Sequence, residues 1–317
     1  MSLHLRFFSV CCVAALSQAA FAADQVFVTN EGSSNVSVID SKTNSLMSTI
    51  DTGGKPRGLA LCKNDAHLYV SNQKDSQLQA IDTGTGTGKV SKSLTLGDSP
   101  EAVYCSPDGK WLAIANEGSN SVSFASTTDW KIAFDIAVQG KNPEHAVFSP
   151  DGQRMLVSAE EADQVDVLDL RTRKQIASIR VGNRPRGIAF SPDGNTAYVA
   201  VETDSLLVAI DMQKLNVKGS LVVGARTNGL AMHPNGKWLF ASNGGDANVA
   251  VVDTATFAVH TKVAVGQRPW NMAISPDGSK LYVAAGRSHA VSVVDANTFT
   301  PIATVPVGKL PWGAAAN

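Results

Sequence analysis

The sequence predicts an all-β protein, a seven-bladed β-propeller of four-stranded antiparallel blades. Three observations lead to this prediction. An anchor residue recurs seven times at spacings of 42 to 44 residues, the units between anchors each contain four short segments rich in β-branched residues, and the two chain ends carry complementary parts of one unit. Four strands in about 42 residues is the size of a propeller blade.

Each unit begins at an anchor that precedes a short apolar strand. The anchors are Pro56, Pro100, Pro143, Pro185, Thr227, Pro269 and Pro311. The first strand leads into a turn, most often Ser-Pro-Asp-Gly as in residues 191–194, and a second strand such as YVAV follows. A third strand closes in aspartate in most units, and a fourth leads to the next anchor. Because Pro, Asp and Gly favour turns, each unit is predicted to form one antiparallel sheet.

The chain ends are predicted to complete one blade together. VFVTN, VSVID and LMSTID near the N-terminus correspond to the second, third and fourth strands of a unit, whereas the C-terminal LPWGAAAN corresponds to a first strand. A single blade has two apolar faces that only neighbouring blades can cover. We therefore expect the C-terminal strand to pair with the N-terminal three strands, so that residues 23–317 form a single propeller domain.

Residues 1–22 are predicted to be a cleavable signal peptide. Arg6 precedes an apolar run from Phe7 to Leu16, and residues 20–22 form a small-x-small cleavage site. The run is too short to span a bilayer, so export to the periplasm without membrane insertion is expected. The formal net charge of −1 gives the chain no overall attraction to nucleic acid or anionic membrane.

Two cysteines, Cys62 and Cys105, remain after the predicted cleavage. They lie on equivalent strands of neighbouring units, at offsets that differ by one residue. An exported protein with two thiols favours a disulfide, whereas the offset would direct the two side chains to opposite faces of their strands. Two alternatives therefore stay open, a disulfide bond or two buried free thiols.

Candidate site residues occupy repeated positions at which the residue type varies. Directly after the anchors stand Arg57, Glu101, Glu144, Arg186, Asn228, Trp270 and Trp312, and one position further on His145 and Asn271 replace the usual Gly or Ala. The ends of the second strands and the positions before the anchors add further acids and arginines. These positions line one mouth of the channel in a propeller, and the scaffold does not require such residues there. A binding site with two exposed tryptophans is therefore predicted at the mouth.

Three interpretations of this mouth compete. It is a recognition surface, with Trp270 and Trp312 as apolar anchors and the arginines contacting a small anionic ligand or a periplasmic protein. Alternatively, an acidic set binds a divalent cation and activates water, as in a metal-assisted lactonase-type hydrolase. The members of that set are Glu101, Glu117, Glu144 and His145. In the third interpretation the charges form ion pairs around a solvated rim. Single-stranded nucleic-acid binding is a minor alternative, because acidic residues share the rim.

The segments VFVTN, YVSN and SPDGSKLYVAA resemble the YVTN family of seven-bladed propellers over the whole of residues 23–317. Within it, the chain most resembles the propellers associated with pyrroloquinoline quinone (PQQ)-dependent catabolism. This resemblance implies a monomeric, non-catalytic binding or accessory protein of periplasmic alcohol oxidation, with no catalytic residues and no bound cofactor. The segment AIDTGTGTGKV, residues 80–90, is similar to a motif of quinoprotein dehydrogenases but occurs once. We interpret it as a glycine-rich hairpin loop and assign no PQQ binding.

Overall fold

A computed structural model describes residues 24–63, 65–83 and 88–317. The predicted signal peptide lies outside the described residues, as do residues 84–87 of the glycine-rich loop. The described chain forms seven four-stranded sheets, numbered here as blades 1 to 7 by their anchors. Two short 3₁₀ helices, Glu160–Ala162 and Gly286–Ser288, interrupt the strands. No helix in the described residues is both long enough and apolar enough to cross a bilayer.

Blades 1 to 3 run consecutively along the chain. Blade 1 contains β4 (Pro56–Leu61), β5 (His67–Asn72), β6 (Gln77–Asp82) and β7 (Lys89–Thr95); blade 2 contains β8 (Pro100–Cys105), β9 (Trp111–Asn116), β10 (Ser121–Ser126) and β11 (Lys131–Ala137); blade 3 contains β12 (Pro143–Phe148), β13 (Arg154–Ala159), β14 (Gln164–Asp169) and β15 (Lys174–Arg180).

Blades 4 to 6 repeat this order, and blade 7 combines the two chain ends. Blade 4 contains β16 (Pro185–Phe190), β17 (Thr196–Val201), β18 (Leu206–Asp211) and β19 (Asn216–Val222); blade 5 contains β20 (Thr227–Met232), β21 (Trp238–Asn243), β22 (Asn248–Asp253) and β23 (Ala258–Ala264); blade 6 contains β24 (Pro269–Ile274), β25 (Lys280–Ala285), β26 (Ala290–Asp295) and β27 (Thr300–Pro306); blade 7 contains β28 (Pro311–Ala316), β1 (Gln25–Asn30), β2 (Asn35–Asp40) and β3 (Ser45–Asp51).

The predicted fold class and ring closure are confirmed. Strand β28 pairs antiparallel with β1, in a register that places Val26 opposite Ala316 and Val28 opposite Ala314. The Gln25 amide also donates a 2.8 Å hydrogen bond to the side-chain oxygen of Asn317. The last strand of the chain therefore completes the sheet that the first three strands begin.

The hydrophobic core lies between the blades. One cluster joins Leu156 and Val165 of blade 3 to Ile188 and Val199 of blade 4, and a similar cluster joins blades 6 and 7. The second and third strands are almost wholly buried, whereas the fourth strands are mostly exposed or partly buried, as expected at the outer edge of a blade. Each buried Val, Leu or Ile contributes about 1.5–3 kcal/mol, so stacking supplies most of the stability of a blade.

Glycines allow the first strands to approach one another around the channel. A Cβ atom on Gly58 would lie 2.4 Å from the Glu101 carbonyl oxygen, and one on Gly229 would lie 2.5 Å from that of Trp270. The Ser242 hydroxyl donates a 2.6 Å hydrogen bond to the same Trp270 carbonyl. Gly58, which follows Pro56-Arg57, therefore allows the backbones of neighbouring blades to approach closely.

A disulfide joins Cys62 and Cys105, with their Cα atoms 5.5 Å apart. Cys105 is the last residue of β8, whereas Cys62 lies one position beyond the end of β4. Because Cys62 has left its strand, the alternation of strand faces does not apply to it, and the offset does not separate the sulfur atoms. The bond connects blades 1 and 2, and a bridge of this kind stabilises a fold by about 2–4 kcal/mol.

A pair of glycine substitutions tests the packing of the inner strands. Gly229→Ala should lower the free energy of unfolding by about 1–3 kcal/mol, because the added methyl group meets the backbone of the next blade. Gly219→Ala is the matched control, since the nearest atom to its new Cβ would be 3.4 Å away on Phe257. Urea denaturation measures both; equal stability of the two variants would contradict the close approach.

Candidate functional site

Charged side chains converge on a cavity at one mouth of the channel. This mouth pocket has a volume of about 260 Å³. Its lining includes four arginines, Arg57, Arg184, Arg186 and Arg268, and three glutamates, Glu117, Glu144 and Glu160, together with Gln73, Asn228, Trp270 and Trp312. The starts of the first strands and the ends of the second strands supply most of these residues, because both lie at the same edge of every blade.

On one side of the mouth, Arg57 lies between two glutamates. Its Nη1 atom donates to both carboxylate oxygens of Glu101 at 2.6 Å, and its Nε atom donates to Glu31 at 3.2 Å. Glu101 is fully buried and also accepts a hydrogen bond from the Gln73 amide. Arg57 and Glu101 are thus held in one geometry by charge-assisted hydrogen bonds.

On the other side, Arg186 contacts three carboxylates at once. Its Nη1 atom lies 2.6 Å from Glu144 and 2.9 Å from Glu160, and its Nε atom lies 2.9 Å from Glu202. Arg184 forms a further ion pair with Glu160. Three carboxylates therefore share the Arg186 guanidinium group.

Glu202 is surrounded by arginines instead. Besides Arg186, it accepts hydrogen bonds from Arg268 at 2.9 Å and from Arg226 at 3.1 Å, and Arg184 lies 3.6 Å away. Burial acts to raise the pKa of Glu202, but Arg186 and Arg268 outweigh it and lower the pKa to about 2. Glu202 is therefore ionised at every physiological pH.

The other buried glutamates do not all ionise so readily. Burial and the Glu144 carboxylate raise the pKa of Glu101, although Arg57 opposes the shift. Burial also acts on Glu144, but Arg186 prevails and holds the pKa of Glu144 below its usual range. Burial and the neighbouring Glu144 carboxylate raise the pKa of Glu160 to about 7, although Arg186 acts to lower it. Neighbouring carboxylates cannot all be charged in one buried cluster, so Glu160 titrates near neutral pH.

Three of these carboxylates approach the spacing of a cation site. One oxygen each of Glu101, Glu117 and Glu144 lies within 4.8 Å of the others. Glu101 and Glu144, however, already bind Arg57 and Arg186 at 2.6 Å, so a divalent cation would lie beside two guanidinium groups and compete with both. His145, the fourth predicted ligand, does not join this group. The donor set therefore does not fit a divalent cation well.

Trp312 lies across the channel, only 3% exposed. The prediction of an exposed Trp312 was wrong, because the indole reaches over the channel to stack on the His145 ring, with centroids 6.1 Å apart and planes 15° apart. The edge of Trp270 packs against it from the side, at 6.4 Å and 76°. Trp312 thus forms the floor of the mouth pocket.

A second cavity, here called the channel cavity, lies beneath Trp312. It has a volume of about 340 Å³ and is lined by first strands of the ring. His145 and Asn271 line this cavity and not the mouth pocket, although the sequence predicted them as mouth residues. The Tyr104 hydroxyl lies 2.7 Å from His145 Nδ1. Burial lowers the pKa of His145 to about 4, so its ring is neutral at pH 7.

A third cavity, the side pocket, adjoins the mouth pocket between blades 5, 6 and 7. It has a volume of about 210 Å³ and is lined by Arg226, Arg268, Arg287 and Trp270, among others. Arg268 Nη1 and Trp270 Nε1 are buried and make no hydrogen bond within the described chain. Arg268 and Trp270 also line the mouth pocket, so the two pockets share unpaired donors at their border.

The structure brings together seven of the nine predicted mouth residues and adds others. Arg57, Glu101, Glu144, Arg186, Asn228, Trp270 and Trp312 lie in or directly behind the mouth pocket. Glu160, Glu202 and Arg268 stand at the repeated positions that the sequence predicted to add acids and arginines to the mouth, although they were not among the named binding residues. Arg287, in the second 3₁₀ helix, stands one position further on, where it corresponds to Glu161 of blade 3, and that repeated position was not considered.

Comparison with known proteins yields one family and a shared fold. The family model for "Lactonase, 7-bladed beta-propeller" matches residues 168–301. No curated protein sequence matches the chain significantly. A functionally unknown protein from Desulfotomaculum acetoxidans DSM 771 superposes with a TM-score of 0.80 at 17% identity, covering 92% of this chain and 98% of that one.

Two further solved structures share the architecture. A proposed 6-phosphogluconolactonase from Bacteroides fragilis NCTC 9343 has a TM-score of 0.75 at 19% identity, with 93% of this chain and 98% of that one covered. Hydrazine synthase of Kuenenia stuttgartiensis has a TM-score of 0.72 at 23% identity, with 81% and 88% covered. At these identities the likeness shows the fold alone.

The prediction of a non-catalytic accessory protein of PQQ-dependent catabolism was wrong. The family model that the chain matches describes lactonases, which favours the hydrolase alternative. The error has a physical origin. The segments that carried the resemblance, such as YVSN and SPDG, build strands and turns, and residues that build blades carry no information about the chemistry at the mouth.

The ion pairs of Glu202 can be tested by measuring the free energy of unfolding as a function of pH. Glu202→Gln should destabilise the fold at pH 7 by on the order of 3 kcal/mol, because it leaves the buried guanidinium group of Arg268 without a counter-ion. The pKa of Glu202 is lower in the folded than in the unfolded chain. Its contribution is therefore complete above the unfolded pKa, near 4.3, and is lost as the pH falls towards 2.

The measurement is urea denaturation of both proteins between pH 7 and pH 3. The stability difference between them should shrink as the pH falls. Glu161→Gln, the same change at an exposed neighbour of Glu160, is the control and should have little effect at any pH. A difference that stays constant across this range would contradict the assigned titration of Glu202.

Proposed function

We propose that this protein is a lactonase-type hydrolase that opens the ring of an anionic lactone at the mouth pocket. One observation carries the proposal: Glu160, a carboxyl group that titrates near neutral pH, shares a pocket of about 260 Å³ with guanidinium groups. The family match supports it, because residues 168–301 include Arg186, Glu202, Arg268 and Trp270. A base and positive hydrogen-bond donors are what ester hydrolysis requires.

Glu160 acts as the general base. In its ionised form it takes a proton from a water molecule, and the resulting hydroxide adds to the carbonyl carbon of the lactone. The carbon–oxygen bond of the ring then breaks, and Glu160 returns its proton to the departing alkoxide. The product is an open hydroxy acid, and Glu160 regains its starting state. A base with a pKa of about 7 suits this exchange at neutral pH, because it can both accept and release the proton.

The unpaired donors at the pocket border receive the negative charge. Arg268 Nη1 and Trp270 Nε1 have no partner in the described chain, so they are free to bind the carbonyl oxygen as it becomes an oxyanion. The ion pair with Glu202 holds Arg268 in place before substrate arrives. Both donors are held in position before the reaction. They therefore need to move little when negative charge develops on the carbonyl oxygen.

The side pocket holds the anionic group of the substrate. Arg226 and Arg287 lie there beside Arg268, an arrangement that suits a phosphate or carboxylate. The structural neighbour proposed to be a 6-phosphogluconolactonase supports testing a phosphorylated sugar lactone first. No step is assigned to a metal ion. Export of residues 23–317 and the finer resemblance to the YVTN family stay predictions.

The proposed base is tested by the pH profile of hydrolysis. For the wild-type protein with 6-phosphoglucono-δ-lactone, kcat/KM should rise with pH and level off above about 7, because Glu160 must be ionised. Glu160→Gln should lower kcat by about 100-fold or more. Glu161→Gln is the control with unchanged activity, and EDTA should leave the wild-type rate unaltered. Hydrolysis that persists in Glu160→Gln with the same pH profile would rule out the role of Glu160.

The side pocket is tested by a pair of substrates. Arg287→Ala should raise KM for the phosphorylated lactone about tenfold with little change in kcat, because it removes one contact to the anionic group. The same variant should hydrolyse glucono-δ-lactone, which lacks the phosphate, as the wild type does. Steady-state kinetics on both lactones gives the comparison, and an equal loss on both would place the anionic group elsewhere.

A further inference from the structure

The channel cavity is a pocket that the proposed hydrolysis does not use. Its volume, about 340 Å³, is in the usual range for small-ligand sites. Among the described residues that line the two cavities, Trp312 alone lines both the channel cavity and the mouth pocket. Because Trp312 is buried between His145 and Trp270, it separates the two compartments. A ligand in the channel cavity therefore meets a different set of side chains from the lactone.

The walls of the channel cavity carry no charged side chain. Leu59, Val103, Ile188, Leu230 and Met272 line it from five different blades. No Asp, Glu, Lys or Arg is among the described residues that line it. An anionic molecule would thus lose its hydration without gaining a counter-ion, which excludes charged ligands.

Two buried hydrogen-bonding groups in this wall have no partner. His145 is 2% exposed, and neither its Nε2 atom nor Asn271 Nδ2 makes a hydrogen bond within the described chain. The hydrogen-bond partner of His145 Nδ1 determines whether Nε2 carries the proton of the neutral ring. Among the described residues, His145 Nδ1 is the hydrogen-bond partner of the Tyr104 hydroxyl, and we assign the hydroxyl as the donor and Nδ1 as the acceptor. With Nδ1 accepting, the neutral ring carries its proton on Nε2.

The wall therefore presents two unpaired N–H donors to a space without charged side chains. Unpaired buried donors are unfavourable in a folded protein, and a ligand oxygen would satisfy them. We propose that the channel cavity is a second binding site, for a small neutral carbonyl compound. Its alkyl part contacts Leu59, Ile188 and Met272, and its oxygen accepts hydrogen bonds from the His145 and Asn271 donors.

The experiment uses 2-octanone labelled with ¹³C at the carbonyl, a ketone that the mouth pocket has no means to hydrolyse. Titration of the full chain, followed by the ¹³C resonance, gives the affinity and reports hydrogen bonding to the oxygen directly. Octane, which has the same chain length and no oxygen, is the comparison ligand. We expect the ketone to bind at least tenfold more tightly than octane and its carbonyl resonance to shift downfield on binding.

Substitutions assign the donors. The double variant with His145→Phe and Asn271→Leu should lower the affinity for 2-octanone to that for octane and abolish the downfield shift. Asn228→Leu is the matched control, because Asn228 lines the mouth pocket and not the channel cavity, and it should leave ketone binding unchanged. Circular dichroism confirms that each variant is folded.

Wild-type protein alone can overturn the proposal. If 2-octanone binds no more tightly than octane, or its carbonyl resonance does not move, the donors do not recognise an oxygen, whatever the variants do. Full ketone affinity in a folded double variant would overturn it as well. Lactone hydrolysis is measured separately at the mouth pocket, so a negative result here leaves the proposed function intact, and the reverse also holds.

Discussion

The stacking of blades on one another is the interaction on which this structure depends. A blade has two apolar faces, and the core clusters each draw on two neighbouring blades, such as Leu156 of blade 3 with Ile188 of blade 4. An open ring would leave two of these faces in water, at a large cost in free energy. The pairing of β28 with β1 removes that cost. The stability of every other blade therefore depends on the C-terminal strand β28. The Cys62–Cys105 bond adds a covalent link between two blades.

Closing the ring also divides the space at its centre. Glycines such as Gly58 and Gly229 let the backbones of the first strands approach closely, and the remaining inner positions are free to carry large side chains. Trp312, His145 and Trp270 use that freedom to fill the channel at one level. The result is a charged compartment on one side and an uncharged one on the other. The mouth pocket and the channel cavity thus lie a few residues apart along the same strands, yet one has charged walls and the other has none.

The charged compartment is ordered by the same interactions that make it reactive. Buried ion pairs add little net stability over apolar packing, but they fix side chains in one geometry. Glu202, which contacts four arginines, stays ionised, whereas Glu144 and Glu160 share Arg186. Burial and the neighbouring Glu144 carboxylate raise the pKa of Glu160 to about 7, although Arg186 acts to lower it. Burial beside a second carboxylate is a general way to obtain a base with a useful pKa.

The repeat in the sequence determines the fold. The spacing of the anchors, the Ser-Pro-Asp-Gly turns and the incomplete ends specify the number of blades and the closure, because these signals are local and the anchor recurs seven times. Residues after the anchors, such as Arg57 and Trp312, could also be placed near the channel from their position in the repeat. Only the tertiary structure decided that Trp312 is buried across the channel, that His145 lies below it, and that Arg186 forms an ion pair with Glu144. These features depend on how side chains from opposite blades meet around the axis, and a periodic sequence specifies each blade without specifying what stands across from it.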